Sequence, residues 1–501
     1  MRPDGLQENF YFGGGATETS FTPITLILLC LGVILVLALP RKRILLPFFA
    51  IGLLIPGSQV LVLPGMHLAV YRIMLVAIWL RIIFGKWVLR RDTYSFRMNA
   101  LDKVFIAWAL SNAIMYSILW HEVAALINRL GFLSISLGVY FMFRFIIRDR
   151  DDVIFAIRSL AFAAIPIAIA MVCEHFTGQN LISFLLGSGQ QLADIRNDRI
   201  RAQGPFAHAI VAGTVGAMLI PLFIGLWREG KGNRLRASLG LACSGLIAVT
   251  SASSTPVMTC IAAILGFCFW PLRHRMRPLR WAFLMSLVVL QIVMKAPVWF
   301  LINRVSGFIG GTGWHRAELI DQFIWRFPEW ALIGTQNNAD WGLDMWDAIN
   351  AYVRAGVEGG LLTFVLFLSV IVIAYKRLGQ ARGIAEQRDP WNEFFLWTFG
   401  VSLFCNCVAF FGIIYFDQSV VAWYCLLVMI SVMTGHYLLE PGPATESVST
   451  EFARPFRPAP LQAYLAYRNA GPTSLYSKML NRLRDTRRTT THPFRAHVKE
   501  G

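Results

Sequence analysis

Charge is what this chain has least of: only 15% of its 501 residues are Asp, Glu, Lys or Arg, against roughly 25% in soluble domains. Acidic side chains are the scarcer kind, 29 against 46 basic ones. So apolar a composition excludes a soluble enzyme, and a disordered chain has the opposite balance. Cysteine supplies no framework either. Cys30, Cys173, Cys243, Cys260, Cys268, Cys405, Cys407 and Cys425 all fall in or at the ends of apolar runs. Cys405 and Cys407 have no second Cys pair or His cluster near them, so the set reads as small buried hydrophobes, not as disulfides or a zinc or redox site. No internal repeat of about 20 to 50 residues is visible.

What is present is hydrophobic surface. At 56% of the chain, roughly 280 residues are apolar, and a membrane span needs about 20. The mean hydropathy of +0.55 packs them into runs. The fold class expected is all-α, a polytopic transmembrane helical bundle of 12 to 13 spans. The runs lie near 21–39, 44–62, 66–84, 101–119, 125–146, 153–173, 205–227, 237–251, 256–271, 281–302, 356–375, 394–412 and 418–438. The net charge of +17 could suggest nucleic acid. Its Lys and Arg instead cluster in alternate connections, as in Arg41 to Arg43, Arg148 and Arg150, Arg228 to Arg236, Arg273 to Arg280 and Lys376 to Arg388. That alternation marks cytoplasmic loops, and no aromatic-interleaved basic surface accompanies it, so no nucleic-acid partner is expected.

The alternation sets three domains. Residues 1–20 form a short extracytoplasmic segment without signal-peptide features, 21–438 the membrane domain, and 439–501 a disordered basic cytoplasmic tail. Arg482, Arg484, Arg487 and Arg488 of that tail suit anionic lipid headgroups or plain solvation equally. Two sizeable outer loops remain, 174–204 and 303–355.

The first outer loop closes with Asp194, Arg196, Asp198, Arg199 and Arg201, then Gln203 to His208 lead into a span. Arg199 and Arg201, spaced i and i+2 at headgroup depth, offer forked donors to a phosphate; interfacial anchoring with local Asp pairs is the plainer reading. In the second loop, Leu319, Ile320, Phe323, Ile324 and Phe327 recur at helical period, which predicts a short amphipathic helix lying on the membrane and stopped by Pro328. His315 and Arg316 stand at its positive start. Beyond it, Asp340, Asp344 and Asp347 mix with Trp341, Trp346 and Tyr352, with Asn350, Arg354 and Glu358 behind and Trp314 upstream. These aromatics fit an interfacial belt or platforms for sugar rings with one carboxylate or His315 as base. Ionisable residues deep in the spans are scarce, Arg72 and Arg81 lying near span ends. A transporter needs buried acids, His or interrupted helices, so transport of a polysaccharide or lipid-linked sugar ranks second, and an accessory subunit of an export complex third.

Three stretches resemble the O-antigen ligase and polymerase superfamily, integral-membrane glycosyltransferases of the GT-C class. R-A-Q-G-P-F-A-H (Arg201 to His208) is similar to that family's R-x-x-G-x-F approach to a span, and G-W-H-R-A-E-L-I (Gly313 to Ile320) to its G-x-R helix start. D-A-I-N-A-Y-V-R-A-G-V-E-G-G-L-L (Asp347 to Leu362) is similar to its H-N-x-Y-L…E-x-G-x-x-G pattern. Two departures stand out: Ile349 replaces the His before Asn350, and S-A-S-S-T-P (Ser251 to Pro256) replaces a Ser-Arg-Gly.

The resemblance implies transfer of a glycan from undecaprenyl diphosphate to an acceptor hydroxyl on a glycan or lipid, in surface or exopolysaccharide assembly. The place implied is the periplasmic face of a bacterial inner membrane, beside other polysaccharide-assembly proteins. No cofactor, nucleotide sugar or metal is implied; the lipid diphosphate is substrate. Arg199, Arg201 and Arg316 would hold the diphosphate, His315 or else Asp347 would take the proton, and Trp314, Asn350, Tyr352 and Arg354 would contact the glycan.

Overall fold

A computed structural model describes residues 19–63, 66–88, 97–186, 194–196, 198–308 and 313–438. The expected N-terminal segment up to residue 18 and the expected tail, 439–501 with its arginines, lie outside the described residues.

The fold is all-α apart from two small hairpins. Its elements are α1 (Pro23–Ala38), α2 (Leu45–Leu54), β1 (Val60–Leu63), β2 (Met66–Ala69), α3 (Val70–Ile83), α4 (Ala100–Trp120), α5 (Val123–Ile146), α6 (Arg150–Thr177) and α7 (Leu181–Leu185). Then come β3 (Asp194–Arg196), β4 (Arg199–Arg201), α8 (Ala209–Arg228), α9 (Lys231–Thr250), α10 (Ser254–Cys268), α11 (Met276–Val293) and α12 (Leu301–Phe308). Next are α13 (Gly313–Trp325), α14 (Phe327–Trp330), α15 (Ala351–Arg388), α16 (Pro390–Ala409) and α17 (Ser419–Tyr437).

Among the described residues seven helices are long and apolar enough to cross a membrane, α4, α5, α6, α8, α15, α17 and the stretch Trp270–Val293. This is a multi-pass membrane protein. Every expected run contains a helix, but several helices are shorter than their runs. The run 44–62 gives the ten-residue α2, about 15 Å long and half of what the bilayer core requires. Pro56 and Gly57 end it, and V-L-V-L enters an antiparallel pairing of Val60 with Ala69 and Leu63 with Met66.

Helices α6, α8 and α17 form the interior, with α9 and α16 against α8. Close approach comes from small residues. A Cβ on Gly213 would stand 2.2 Å from Ser251 Oγ and one on Gly216 2.8 Å from Ile247 Cγ2, so α8 draws the end of α9 tightly alongside. By contrast α11 has no buried residue. Cysteine placement corrects the sequence reading in part: Cys405 and Cys425 are buried, whereas Cys30 and Cys268 face outward.

The two ends of the bundle differ in chemistry. At one end basic residues pair with the few acids: Arg41 with Asp152 at 2.7 Å, and Arg273 and Arg382 both with Glu393 at 2.9 Å. Asp102, fully buried, takes Arg144 at 2.9 Å and the Tyr140 hydroxyl at 2.7 Å. The other end carries both hairpins, α13, α14 and the α16–α17 loop.

There α15 is broken, with Gly359 and Gly360 outside helical geometry. Interrupted helices were largely absent from the sequence reading, so this is a correction. Gly360 has φ +68, and a Cβ on it would lie 2.5 Å from the Leu332 carbonyl oxygen; no side chain fits. The freed groups are satisfied from the segment 331–335: Thr335 N–H donates to Val357 O at 2.9 Å and Leu361 N–H to Ala331 O at 2.8 Å. The break docks the loop.

Candidate anion site

The start of α10 is the floor of the site. Its N-cap is Ser253, followed by Ser254, Thr255 and Pro256, so a row of hydroxyls sits where a helix directs unpaired N–H groups and positive potential. The helix starts here on the extended backbone of Ser253, whose hydroxyl donates to Ser251 O at 2.8 Å and leaves the first-turn N–H groups uncapped, and Pro256 needs no N–H partner in the first turn.

Arg201 reaches this floor from β4. The β3–β4 register pairs Asp194 with Arg201 and Arg196 with Arg199. Arg201 is buried; its Nε and Nη2 donate to Ser253 Oγ at 3.2 and 2.8 Å, and Nη1 donates to Asp194 Oδ2 at 2.7 Å. Ala202 N–H, donating to Thr250 O at 3.1 Å, fixes the strand against the end of α9. The expected Asp pairing of the plainer reading is thus present, alongside the convergence.

Arg316 arrives from α13, with Nη1 3.5 Å from Ser254 Oγ. A Cβ on Gly412 would stand 2.8 Å from Arg316 Cζ and 2.8 Å from Thr255 Oγ1, so the bare backbone of the α16–α17 loop is what lets the guanidinium lie beside Thr255. Thr255 Oγ1 is buried without a hydrogen-bond partner. Burial, with the charges of Arg196 and Arg201, holds Arg316 below the usual arginine range. Burial also lowers Arg201, opposed by Asp194 and reinforced by Arg196. Three guanidiniums and one carboxylate therefore act on this site.

No family model matches the sequence, and no curated protein sequence matches it. The site stands on its own geometry.

Of the residues the sequence singled out, the structure brings together Arg201 and Arg316. Arg199 is exposed on the hairpin; Arg196, on the same strand face as Asp194, is the arginine whose charge reaches both others. The i, i+2 alternation of a strand held that signal. His315 is half-buried beside Arg316, and Trp314 is exposed. Asp347 belongs elsewhere, its charge acting on Arg354, which binds Glu358 at 2.6 Å.

Asn350 and Tyr352 have structural tasks. Asn350 caps α15, its Oδ1 accepting from Tyr352 N–H at 2.9 Å and Val353 N–H at 3.3 Å. The Tyr352 hydroxyl donates to Cys407 O at 2.8 Å.

The expected amphipathic helix is present as α13, with part of its apolar face buried. Leu319 and Phe323 of α13 pack with Trp330, Trp341 and Met345 onto Val353 and Val357 of α15, so protein covers that part of the stripe expected to lie on lipid, while Ile324 and Phe327 stay exposed. Phe323 stacks on Trp330 with centroids 3.9 Å apart. Trp341, only 3% exposed, donates from Nε1 to Glu329 Oε2 at 3.0 Å; it is core, neither belt nor sugar platform, while Trp346 is exposed. Pro328 does not stop α13 but sits in the first turn of α14. Among the described residues no group of three or more His, Cys, Asp and Glu is placed to hold a metal ion.

Proposed function

We propose that the chain is a glycan polymerase or ligase of a bacterial inner membrane, working on its periplasmic face. It would transfer a glycan from undecaprenyl diphosphate to an acceptor hydroxyl, as the resemblance to the O-antigen ligase and polymerase superfamily implies. The observation that carries this reading is that Arg201 and Arg316, from segments more than a hundred residues apart, meet on adjacent serines at the start of one helix.

The chemistry asks for little else at the leaving group. The acceptor oxygen bonds to the anomeric carbon as the bond from that carbon to the phosphate oxygen breaks. Negative charge grows on the departing diphosphate, and fixed positive groups there lower the barrier. Arg196, Arg201, Arg316 and the α10 N-terminus supply them, and the unpartnered Thr255 hydroxyl offers a further donor. His315 is the first choice to take the acceptor proton, being adjacent to Arg316; Asp347, engaged with Arg354, is second. Below the site, Val257, Ile261, Ile264 and Leu265 of α10 are exposed, which suits an isoprenoid tail running down from its headgroup.

One feature favours transport, the break in α15, since broken helices line transporter sites. Its backbone groups are consumed by the loop at Ala331 and Thr335, which leaves transfer the better reading.

The test is the purified full chain in proteoliposomes with an undecaprenyl-diphosphate oligosaccharide. Elongated or transferred glycan is expected, and Arg201→Ala or Arg316→Ala should abolish it while the protein stays monodisperse. Flux across the vesicle with no new glycosidic bond would instead favour the transporter, and neither activity the accessory subunit.

A further inference from the structure

A cavity of about 1810 Å³ lies away from the arginine cluster, between α3, α4, α5, α15 and the α16–α17 loop. One part of its wall is hydrocarbon: Val76, Leu80 and Ile83 of α3 and Ile127 and Leu130 of α5, all of them exposed. The cavity is therefore a groove open along the flank of the bundle that faces lipid.

Its hairpin end is polar. Arg129 Nη1 donates to Glu358 Oε2 at 3.0 Å and to Asn112 Oδ1 at 2.7 Å, over the Tyr116 ring at 3.6 Å. Arg354 holds the other oxygen of Glu358. Arg72 and Asp417 line the same cavity. Asp417 has φ +48, a left-handed backbone that costs a non-glycine residue energy. A Cβ on Gly57 would lie 3.0 Å from its carboxylate.

Two donors in this wall have nothing to bond. Arg129 is 6% exposed and its Nε has no partner, and neither has Trp108 Nε1. An unsatisfied buried donor costs about 1 to 3 kcal/mol, which an acceptor brought by a ligand would recover on reaching either of these lining residues. The charges here nearly cancel, Arg72, Arg129 and Arg354 against Asp417 and Glu358, unlike the arginine-rich site. Carboxylates in the wall disfavour a free anion. A bare hydrocarbon would leave the N–H groups unmet. Hydroxyls do both tasks, accepting from Arg129 and Trp108 and donating to Glu358 and Asp417.

We infer that this groove binds a glycolipid, with a neutral polyhydroxyl head between Asp417 and Glu358 and a hydrocarbon chain along α3 and α5. The binding stands on the groove itself; that the occupant is the acceptor rests on the transfer reading. The α16–α17 loop joins the two sites, Gly412 lying against Arg316 and Asp417 facing the groove. A lipid-borne acceptor would thus come in sideways and meet the donor across that loop.

The test uses the full chain in vesicles with a dodecyl glucoside carrying a diazirine on its alkyl chain. Crosslinks should fall on α3 and α5 and be competed by unlabelled dodecyl glucoside. Gly131→Trp plugs the groove: Gly131 lines it, and a Cβ there meets nothing within 4 Å. Labelling should drop roughly tenfold. Val76→Trp, on the exposed groove wall, is the second plug should the first not fold.

Undiminished labelling in a folded plugged variant would overturn the inference, as would equal labelling by a diazirine alkane without the sugar or stronger competition by dodecyl phosphate. Thermal stabilisation by inorganic pyrophosphate, read on the same samples, reports the arginine site. Its absence in the wild type with groove labelling intact would sink the transfer reading and uphold the groove; its presence without groove labelling would sink the groove alone.

Discussion

Arg201 and Arg316 face the same site but are held differently, so truncating them should have opposite effects on the anion-free protein. Arg201 makes three N–H contacts, two to Ser253 and one to Asp194. Removing it leaves Asp194, 51% exposed, largely rehydrated, and Ser253 still bonded to Ser251 O at 2.8 Å. Arg201→Ala should therefore cost about 1 to 2 kcal/mol. Arg316 has only a 3.5 Å contact to Ser254 and is repelled by Arg196 and Arg201. Arg316→Ala should be neutral or stabilising, apart from the packing of its stem. With pyrophosphate present the two converge: each guanidinium contributes about 1.5 to 3 kcal/mol of charged hydrogen bonding, a Kd change of roughly 10- to 150-fold. Thermal unfolding of the detergent-purified full chain with and without pyrophosphate reads both effects, wild type gaining about 2.7 kcal/mol at a hundredfold excess over Kd. Equal pyrophosphate protection in wild type and Arg316→Ala would refute the reasoning, and so would an anion-free loss in Arg316→Ala as large as in Arg201→Ala.

Glu358→Gln strands Arg129 in the interior and should cost about 3 to 5 kcal/mol in chemical denaturation, most of it recovered by adding Arg129→Met; a loss under about 1 kcal/mol would mean the pair is effectively solvated. Gly360→Ala meets both a positive φ and the Leu332 carbonyl, and should cost at least about 1 to 3 kcal/mol and open the 331–335 loop to limited proteolysis, which wild type resists. Asn350→Ala should lower stability by about 1 kcal/mol, the worth of a cap, with the KM for donor unchanged; a raised KM at unchanged stability would instead support its expected glycan contact. Burial raises the Asp417 carboxyl above its usual range, against the pull of Arg72 and His208. The folded state thus binds its proton more tightly, so this group's destabilisation is full above the raised value and fades as pH falls towards about 3.9. Asp417→Asn should therefore be more stable than wild type at neutral pH, with the gap closing in acid, as pH-dependent melting would check.

Helix positions were legible because the two signals that set them are local. Apolar run length and the alternation of basic clusters need no tertiary information, which is why α4, α5 and α6 lie within a few residues of the expected 101–119, 125–146 and 153–173. Where local signals compete, the run misleads. The stretch 44–62 is apolar but for Ser58 and Gln59, yet Pro56 and Gly57 follow a helix that ends at Leu54, and the β-branched end becomes one strand of a hairpin. Burial was less legible still. The period of Leu319 and Phe323 correctly predicts a helix with an apolar face, but period is blind to whether lipid or protein covers that face, and here Trp330 and Val357 do.

The site was half visible for a related reason. A run of arginines at a span mouth advertises itself, so Arg201 and Arg316 stood out, whereas their partners carry no charge: Ser253, Ser254, Thr255 and the bare Gly412. The stretch S-A-S-S-T-P looked like a loss, since the resembling family has an arginine there. The structure changes what that absence means. An arginine on the first turn of α10 would compete for the space that the guanidiniums of Arg201 and Arg316 occupy against Ser253 and Ser254, and would add a further positive charge to a cluster in which Arg316 is already repelled by two others. Short hydroxyls instead accept from both arginines and keep the helix N-terminus open to an anion. Putting the charge back tests this directly: Ser254→Arg should lower the stability of the anion-free chain through like-charge crowding and regain it on adding pyrophosphate. A stable Ser254→Arg variant indifferent to pyrophosphate would mean that the arginines do not share one site.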